Sequence, residues 1–199
     1  MIAKLKAFSH GRALFFTFVC LFTPLVRGQA PRPIHGSVAL ISEESGIHPG
    51  QKISLGLHFE IEEGWHTYWV NPGDSGQPAF VRWQLPQGWQ PGATLWPLPK
   101  RIPDHSMVDY GYENDVLLIV PVRAPTNLAV AGTVNLRASV EWLVCRDVCV
   151  PIQTEVDLPL PVIKGTGVAY SQWHNLFQKA RAMLPRPAPR NWKVAVGSE

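Results

Sequence analysis

The chain has 199 residues, 46% of them hydrophobic, with 18 basic against 15 acidic side chains. That length fits one domain with an appendage. The basic excess does not argue for a nucleic-acid partner: four of the basic residues and none of the acidic ones lie in the first 28. The remainder, 14 against 15, keeps no basic stripe.

In chain order, the first segment is a leader. Lys4, Lys6 and Arg12 precede an apolar run from Ala13 to Val26, broken only by Thr17, Thr23 and Pro24. A membrane span needs about 20 apolar residues, and this run falls short. A basic start, a short apolar middle and a small-residue end describe a secretory signal peptide, residues 1–28, cut after Gly28. An uncleaved membrane anchor is the alternative. Cleavage also removes Cys20, so the exported chain keeps Cys145 and Cys149 as its only cysteines, bound for an oxidising compartment.

From His35 onward the pattern is that of strands. Ser37 to Ile41 opens the series, and Lys52 to Ile61 follows with Ile53, Leu55, Leu57, Phe59 and Ile61 on one face. His66 to Val70 and Phe80 to Leu85 flank the turn signal Asn71 to Gly76. Val116 to Val122, Thr133 to Trp142 and Val150 to Leu158 complete the set. Short strands punctuated by Gly and Pro predict an all-β, antiparallel sandwich over residues 34–163. Trp173, Leu176, Phe177, Ala180 and Leu184 then recur at helical spacing and Pro185 stops them, giving one amphipathic helix over 169–184. Residues 185–199 read as a linker in which Trp192 to Val196 either opens a further domain or frays.

The cysteine spacing carries the chemical signal. In an extended strand, Cα atoms four residues apart lie about 13 Å from each other, whereas a disulfide needs roughly 4.4–6.8 Å. A bonded pair therefore requires Arg146, Asp147 and Val148 to fold back, giving a hairpin with the cysteines at its mouth. Pro151, which lacks an N–H, suits an edge strand. So short a loop stabilises at the lower end of about 2–4 kcal/mol, which favours a working disulfide over a staple.

Cys145-Arg-Asp-Val-Cys149-Val-Pro after Trp142, with Gly64-Trp-His-Thr-Tyr-Trp69, Asn71-Pro-Gly-Asp74, Trp96-Pro-Leu-Pro99 and Tyr110-Gly-Tyr-Glu113, resembles the N-terminal periplasmic domain of the DsbD and ScsB thiol:disulfide interchange proteins. The likeness runs from about 35 to 163. It implies an immunoglobulin-like sandwich that relays reducing equivalents as part of a protein-disulfide reductase system in the periplasm. The implied partners are a thioredoxin-like domain as electron donor, a membrane electron-transfer domain behind it, and periplasmic disulfide isomerase-like proteins as acceptors. No cofactor is implied. By position, Cys149 is the attacking sulfur and Cys145 its resolving partner. The segment Pro97 to Tyr112 matches a cap over the cysteines. The chain departs from the best-known members in having only three residues between the cysteines.

Two other readings compete. Cys-x-x-x-Cys near a proline, with a distant histidine, also resembles the copper site of Sco-type chaperones, and thiolates suit Cu(I). An inert staple in an exported domain is the third. Trp65, Trp69, Trp83, Trp89 and Trp96 read as packing residues rather than a sugar platform. His58, on the polar face of its strand, reads as solvated. His66 and His105 are candidate metal ligands, and Asp104, Asp109 and Glu113 are weak proton-relay candidates against a default of surface charges. No phosphate loop, serine-triad signature or four-ligand zinc pattern appears.

Overall fold

The computed structural model describes residues 35–104, 106–165 and 167–189. The expected signal peptide, His105 and the expected strand start at 192–196 lie outside the described residues. In chain order the strands are β1 (Gly36–Ser42), β2 (Lys52–Ile61), β3 (His66–Gly73), β4 (Phe80–Gln84), β5 (Gln90–Pro91), β6 (Lys100–Asp104), β7 (Met107–Glu113), β8 (Asp115–Arg123), β9 (Thr133–Cys145) and β10 (Cys149–Pro161). A helix, α1 (His174–Ala182), follows.

The first sheet has the order β1-β2-β8-β5. The second runs β10-β9-β3-β7-β6, with β4 also on β9. Every ladder between these strands is antiparallel. The fold is the expected immunoglobulin-like sandwich with one C-terminal helix. Alternation explains the core. Leu55, Leu57 and Phe59 of β2 meet Leu136, Ala138 and Val140 of β9 in one buried cluster. The expected tryptophan packing holds: Trp65 and Trp89 are buried, and Trp69, Trp83 and Trp96 pack against the same cluster.

Strand β8 is different, because Val116 to Val120 are buried without a break. Its second face is covered by the helix: Leu117 and Ile119 pack with Ile41, Phe177 and Ala180. Gly56 makes the fit possible, since a Cβ there would lie 2.5 Å from Leu117 Cδ1 and 2.8 Å from Phe177 Cζ. This layer corrects the reading of His58 as solvated. It projects to the helix side, its side chain is 12% exposed, and its ring lies 5.9 Å from that of Trp173. A polar-looking strand face was in fact an interface.

Polar contacts tie the helix down. Arg181 donates through Nη1 to Glu43 Oε1 at 2.6 Å and through Nη2 to Glu43 Oε2 and to Ser54 Oγ. His174 Nδ1 lies 3.0 Å from Glu43 Oε1. Burial opposes the charge on Glu43, but the hydrogen bond and charge of Arg181, with Ser54 and His174, outweigh it and hold the carboxyl below its ordinary value. Its neighbour Glu44 goes the other way: burial raises it, helped by the charge of Glu43.

Opposite pH signs follow. The Glu43 contribution is present above the ordinary carboxylate range and is lost as pH falls through the depressed value. Glu43→Gln should cost about 2 kcal/mol at pH 7, below the 3–5 of a fully buried pair because Arg181 is 33% exposed. That cost should shrink in acid. For Glu44, stability is present in acid and lost as pH rises through the raised value, so Glu44→Gln should match or exceed the parent at pH 7 and converge with it below about pH 4. Thermal unfolding from pH 3 to 8 checks both signs.

Candidate functional site

The long pairing of β9 with β10 ends on Cys149 opposite Cys145. The two are bonded, with S–S 2.03 Å and Cα–Cα 4.2 Å. Arg146 to Val148 fold back as the spacing demands, the Arg146 N–H donating to the Val148 carbonyl at 3.2 Å. Strand β10 is the edge of its sheet, and it tolerates Pro151, Pro159 and Pro161 there. The two sulfur-bearing residues differ sharply in access. Cys145 is 2% exposed, whereas Cys149 is exposed and follows Val148, which is 63% exposed.

Strand β3 brings aromatic residues to the pair. His66 stands opposite Cys145 across the strands. Two residues on, the Tyr68 hydroxyl lies 3.6 Å from Cys149 Sγ. A disulfide sulfur carries no proton, so the hydroxyl is the donor. Tyr68 is 2% exposed and its ring lies 5.2 Å from that of His66. Gly76 lies flat on that ring, since a Cβ there would fall 2.1 Å from Tyr68 Cζ. The loop that carries Gly76 is strapped to β7. Ser75 donates from its N–H and hydroxyl to the two oxygens of Asp109, at 2.9 and 2.6 Å, and the Val108 N–H donates to Asp74 at 2.8 Å.

On the other side of the turn, the Arg146 guanidinium sits 4.9 Å from the Trp65 ring centroid, and His35 stacks on the same indole at 3.7 Å. Arg146 also pairs with Asp147 at 2.9 Å. Opposite charges therefore meet in the turn itself, and Trp65 holds the arginine to the sandwich.

The remaining candidates scatter. Asp109 is buried at 1% and its carboxylate is occupied by Ser75. Glu113 pairs with Lys100 at 2.9 Å. Asp109 is therefore no surface charge, whereas Glu113 is one, as the default reading had it. The segment Pro97 to Tyr112, matched by position to a cap, is mostly a β-hairpin, β6 with β7. Its Gly111 stands opposite Tyr68, and the Tyr112 hydroxyl donates to the Pro97 carbonyl at 2.8 Å. Among the described residues, no group of three or more metal-ligating side chains is formed. Tyr68 is the residue that sequence reasoning missed as a site member. It was legible as part of a motif, but its reach to Cys149 depends on the β3–β9 pairing.

The family model of the N-terminal domain of the thiol:disulfide interchange protein DsbD matches residues 37–161. No protein of the curated set matches. Among solved structures, the N-terminal periplasmic domain of ScsB from Proteus mirabilis is similar at 19% identity and a TM-score of 0.58, covering 80% of this chain and 58% of that one. The DsbD N-terminal domain of Neisseria meningitidis, in its reduced form, is matched at 16% identity and a TM-score of 0.33, over 67% of this chain and 91% of that one. This chain thus spans little more than half of the ScsB domain. A bonded cysteine pair on a sandwich edge, inside a stretch that the family model covers from end to end, places the chain in the family of DsbD N-terminal domains.

Proposed function

We propose that the chain is a periplasmic thiol–disulfide exchange domain that relays reducing equivalents through Cys145 and Cys149. The observation that carries this reading is the asymmetry of the pair: one sulfur is open to a partner and the other is held behind it. A thiolate of a thioredoxin-like donor attacks Cys149 Sγ, the S–S bond breaks, and Cys145 leaves as thiolate and takes a proton. The second donor thiolate then attacks its own bonded sulfur and frees Cys149. Two electrons and two protons have entered. In the second half, the Cys149 thiolate attacks the disulfide of an oxidised periplasmic protein such as an isomerase, and Cys145 resolves the mixed disulfide. A membrane electron-transfer domain would stand behind the donor.

Tyr68 has a role in this scheme. Its hydroxyl donates to Cys149 and would stabilise the thiolate there, while burial disfavours the thiolate of Cys145. Charge thus collects on the exposed sulfur.

A second reading has one observation in its favour. The two cysteines are already held together at the end of one hairpin, so the reduced pair offers two soft thiolates to Cu(I).

Cys149→Ser should abolish electron uptake from a reduced thioredoxin-like domain, whereas Cys145→Ser should trap a mixed disulfide visible on a non-reducing gel. Full electron transfer in Cys149→Ser would sink the scheme. In the reduced protein, Tyr68→Phe should shift the midpoint of the alkylation-rate profile of Cys149 upward by about half a unit to one pH unit; an unmoved profile removes Tyr68 from the chemistry. The copper reading predicts Cu(I) binding to the reduced protein, and affinity no greater than that of a cysteine-free variant ends it.

A further inference from the structure

The face of the second sheet that carries the disulfide also carries an apolar groove. Register fixes this. Directly opposed residues of an antiparallel pair share a face. On β9 and β10 the pairs Trp142–Ile152 and Val144–Val150 point into the core, and the pairs Cys145–Cys149, Leu143–Pro151 and Glu141–Gln153 point outward. Phe80 of β4 stands beside Glu141 on that same outer face and is 57% exposed. Pro78, Phe80, Leu143 and Pro151 are the outward apolar lining of a groove of 390 Å³, with Gln77, Glu141 and Gln153 as its polar members and the core residues Trp142 and Ile152 at its floor.

We propose that this groove seats the polypeptide on either side of a partner's cysteine, as an extended segment with an apolar side chain two residues from that cysteine and a basic one four residues away. The inference rests on the exchange reading above and deepens it. The groove is continuous with the point where a partner sulfur must stand. An extended chain advances about 6.6 Å every two residues on one face. A segment lying along β10 with its sulfur at Cys149 therefore places its second neighbour over Leu143 and Pro151. Its fourth neighbour falls over Glu141 and Gln153. Glu141 is 47% exposed and has Arg82 as an ion partner at 3.7 Å, which leaves its carboxylate open to a further cation. The volume suits a short segment rather than a folded domain, being near the lower end of the roughly 300–1,000 Å³ of small-ligand sites.

The chemistry balances with a disulfide-linked peptide dimer as acceptor. The Cys149 thiolate displaces one peptide thiolate, Cys145 displaces the second, the protein is oxidised and two peptide thiols are produced. The probes are dimers of two nonapeptides with a central cysteine. One has leucine at both second positions and lysine at both fourth positions, which covers either chain direction. The other has aspartate and glutamate there. Oxidised glutathione serves as the small control.

The reduced protein should turn over the leucine–lysine dimer at least about tenfold faster than its acidic counterpart. Phe80→Asp and Leu143→Asp should each cut that preference to below about threefold, and Phe80→Asp should leave the glutathione rate unchanged. Phe80 is exposed, so its variant keeps the test valid if Leu143→Asp does not fold. Equal rates for the two dimers in the parent, or a preference kept in Phe80→Asp, would overturn the groove and leave the exchange reading standing. Failure to react with either dimer and with glutathione would overturn both. A dimer of the protein itself that Phe80→Asp dissociates would give the groove to a second copy and overturn the assignment to a partner.

Discussion

Cys145 and Cys149 meet because the even-numbered side chains of β9 and β10 have to be buried. Leu136, Ala138, Val140, Trp142 and Val144 are all within 3% of full burial, and Val156 and Leu160 of β10 face them. A slip of one residue in either strand would turn this whole set to water. Each such side chain is worth about 1.5–3 kcal/mol when buried, so the register has no affordable alternative. With the register set, Cys149 falls opposite Cys145 and Arg146 to Val148 become the turn. The disulfide does not have to create the hairpin. It closes a geometry that hydrophobic burial has already imposed, which leaves it free to open and close in the proposed relay without unfolding the strands around it.

The same register sorts the environment of the sulfurs. Outward-facing positions on β9, β10 and β3 collect Tyr68, His66, Leu143 and Pro151 around the pair. Tyr68 is held from behind by Gly76, whose lack of a Cβ lets the loop lie on the phenol ring. That loop is fixed in turn by Asp109 and Asp74. A chain of contacts thus runs from β7 through residues 74–76 to a hydroxyl beside Cys149. Asp109 takes part as a buried anchor, both of its oxygens accepting from Ser75.

The elements legible in the sequence were those with one clean period. Lys52 to Ile61 and Thr133 to Trp142 alternate, and each became a strand. The hairpin at Cys145 followed from chain length and disulfide geometry alone. What stayed hidden had a mixed or inverted pattern. In β7 the small and acidic residues Asp109 and Gly111 are buried while Tyr110 is exposed, so no hydrophobic alternation marks the strand. His58 looked solvated because Ser54, Gly56 and His58 make a polar-looking face. The helix that covers it arrives more than a hundred residues later. Tyr68 could be recognised as part of a motif, but its partner sulfur lies 81 residues away. Contacts that depend on which strands become neighbours are not written in any local window.

Burial sets the order of events in the proposed exchange. Cys149 is exposed and Cys145 buried, so the scheme gives the incoming thiolate to Cys149 and makes Cys145 the leaving group on the way in and the resolving group on the way out. Its buried surroundings disfavour a free thiolate, which by itself would slow both steps. Proximity compensates. The strand pairing keeps the two Cα atoms 4.2 Å apart, so the second sulfur attacks within one hairpin and not from solution. Positioned intramolecular attack gains far more than the burial of one sulfur removes. Hiding one cysteine therefore costs little speed and prevents a second partner from attacking the wrong sulfur, which is what a relay between two protein partners requires.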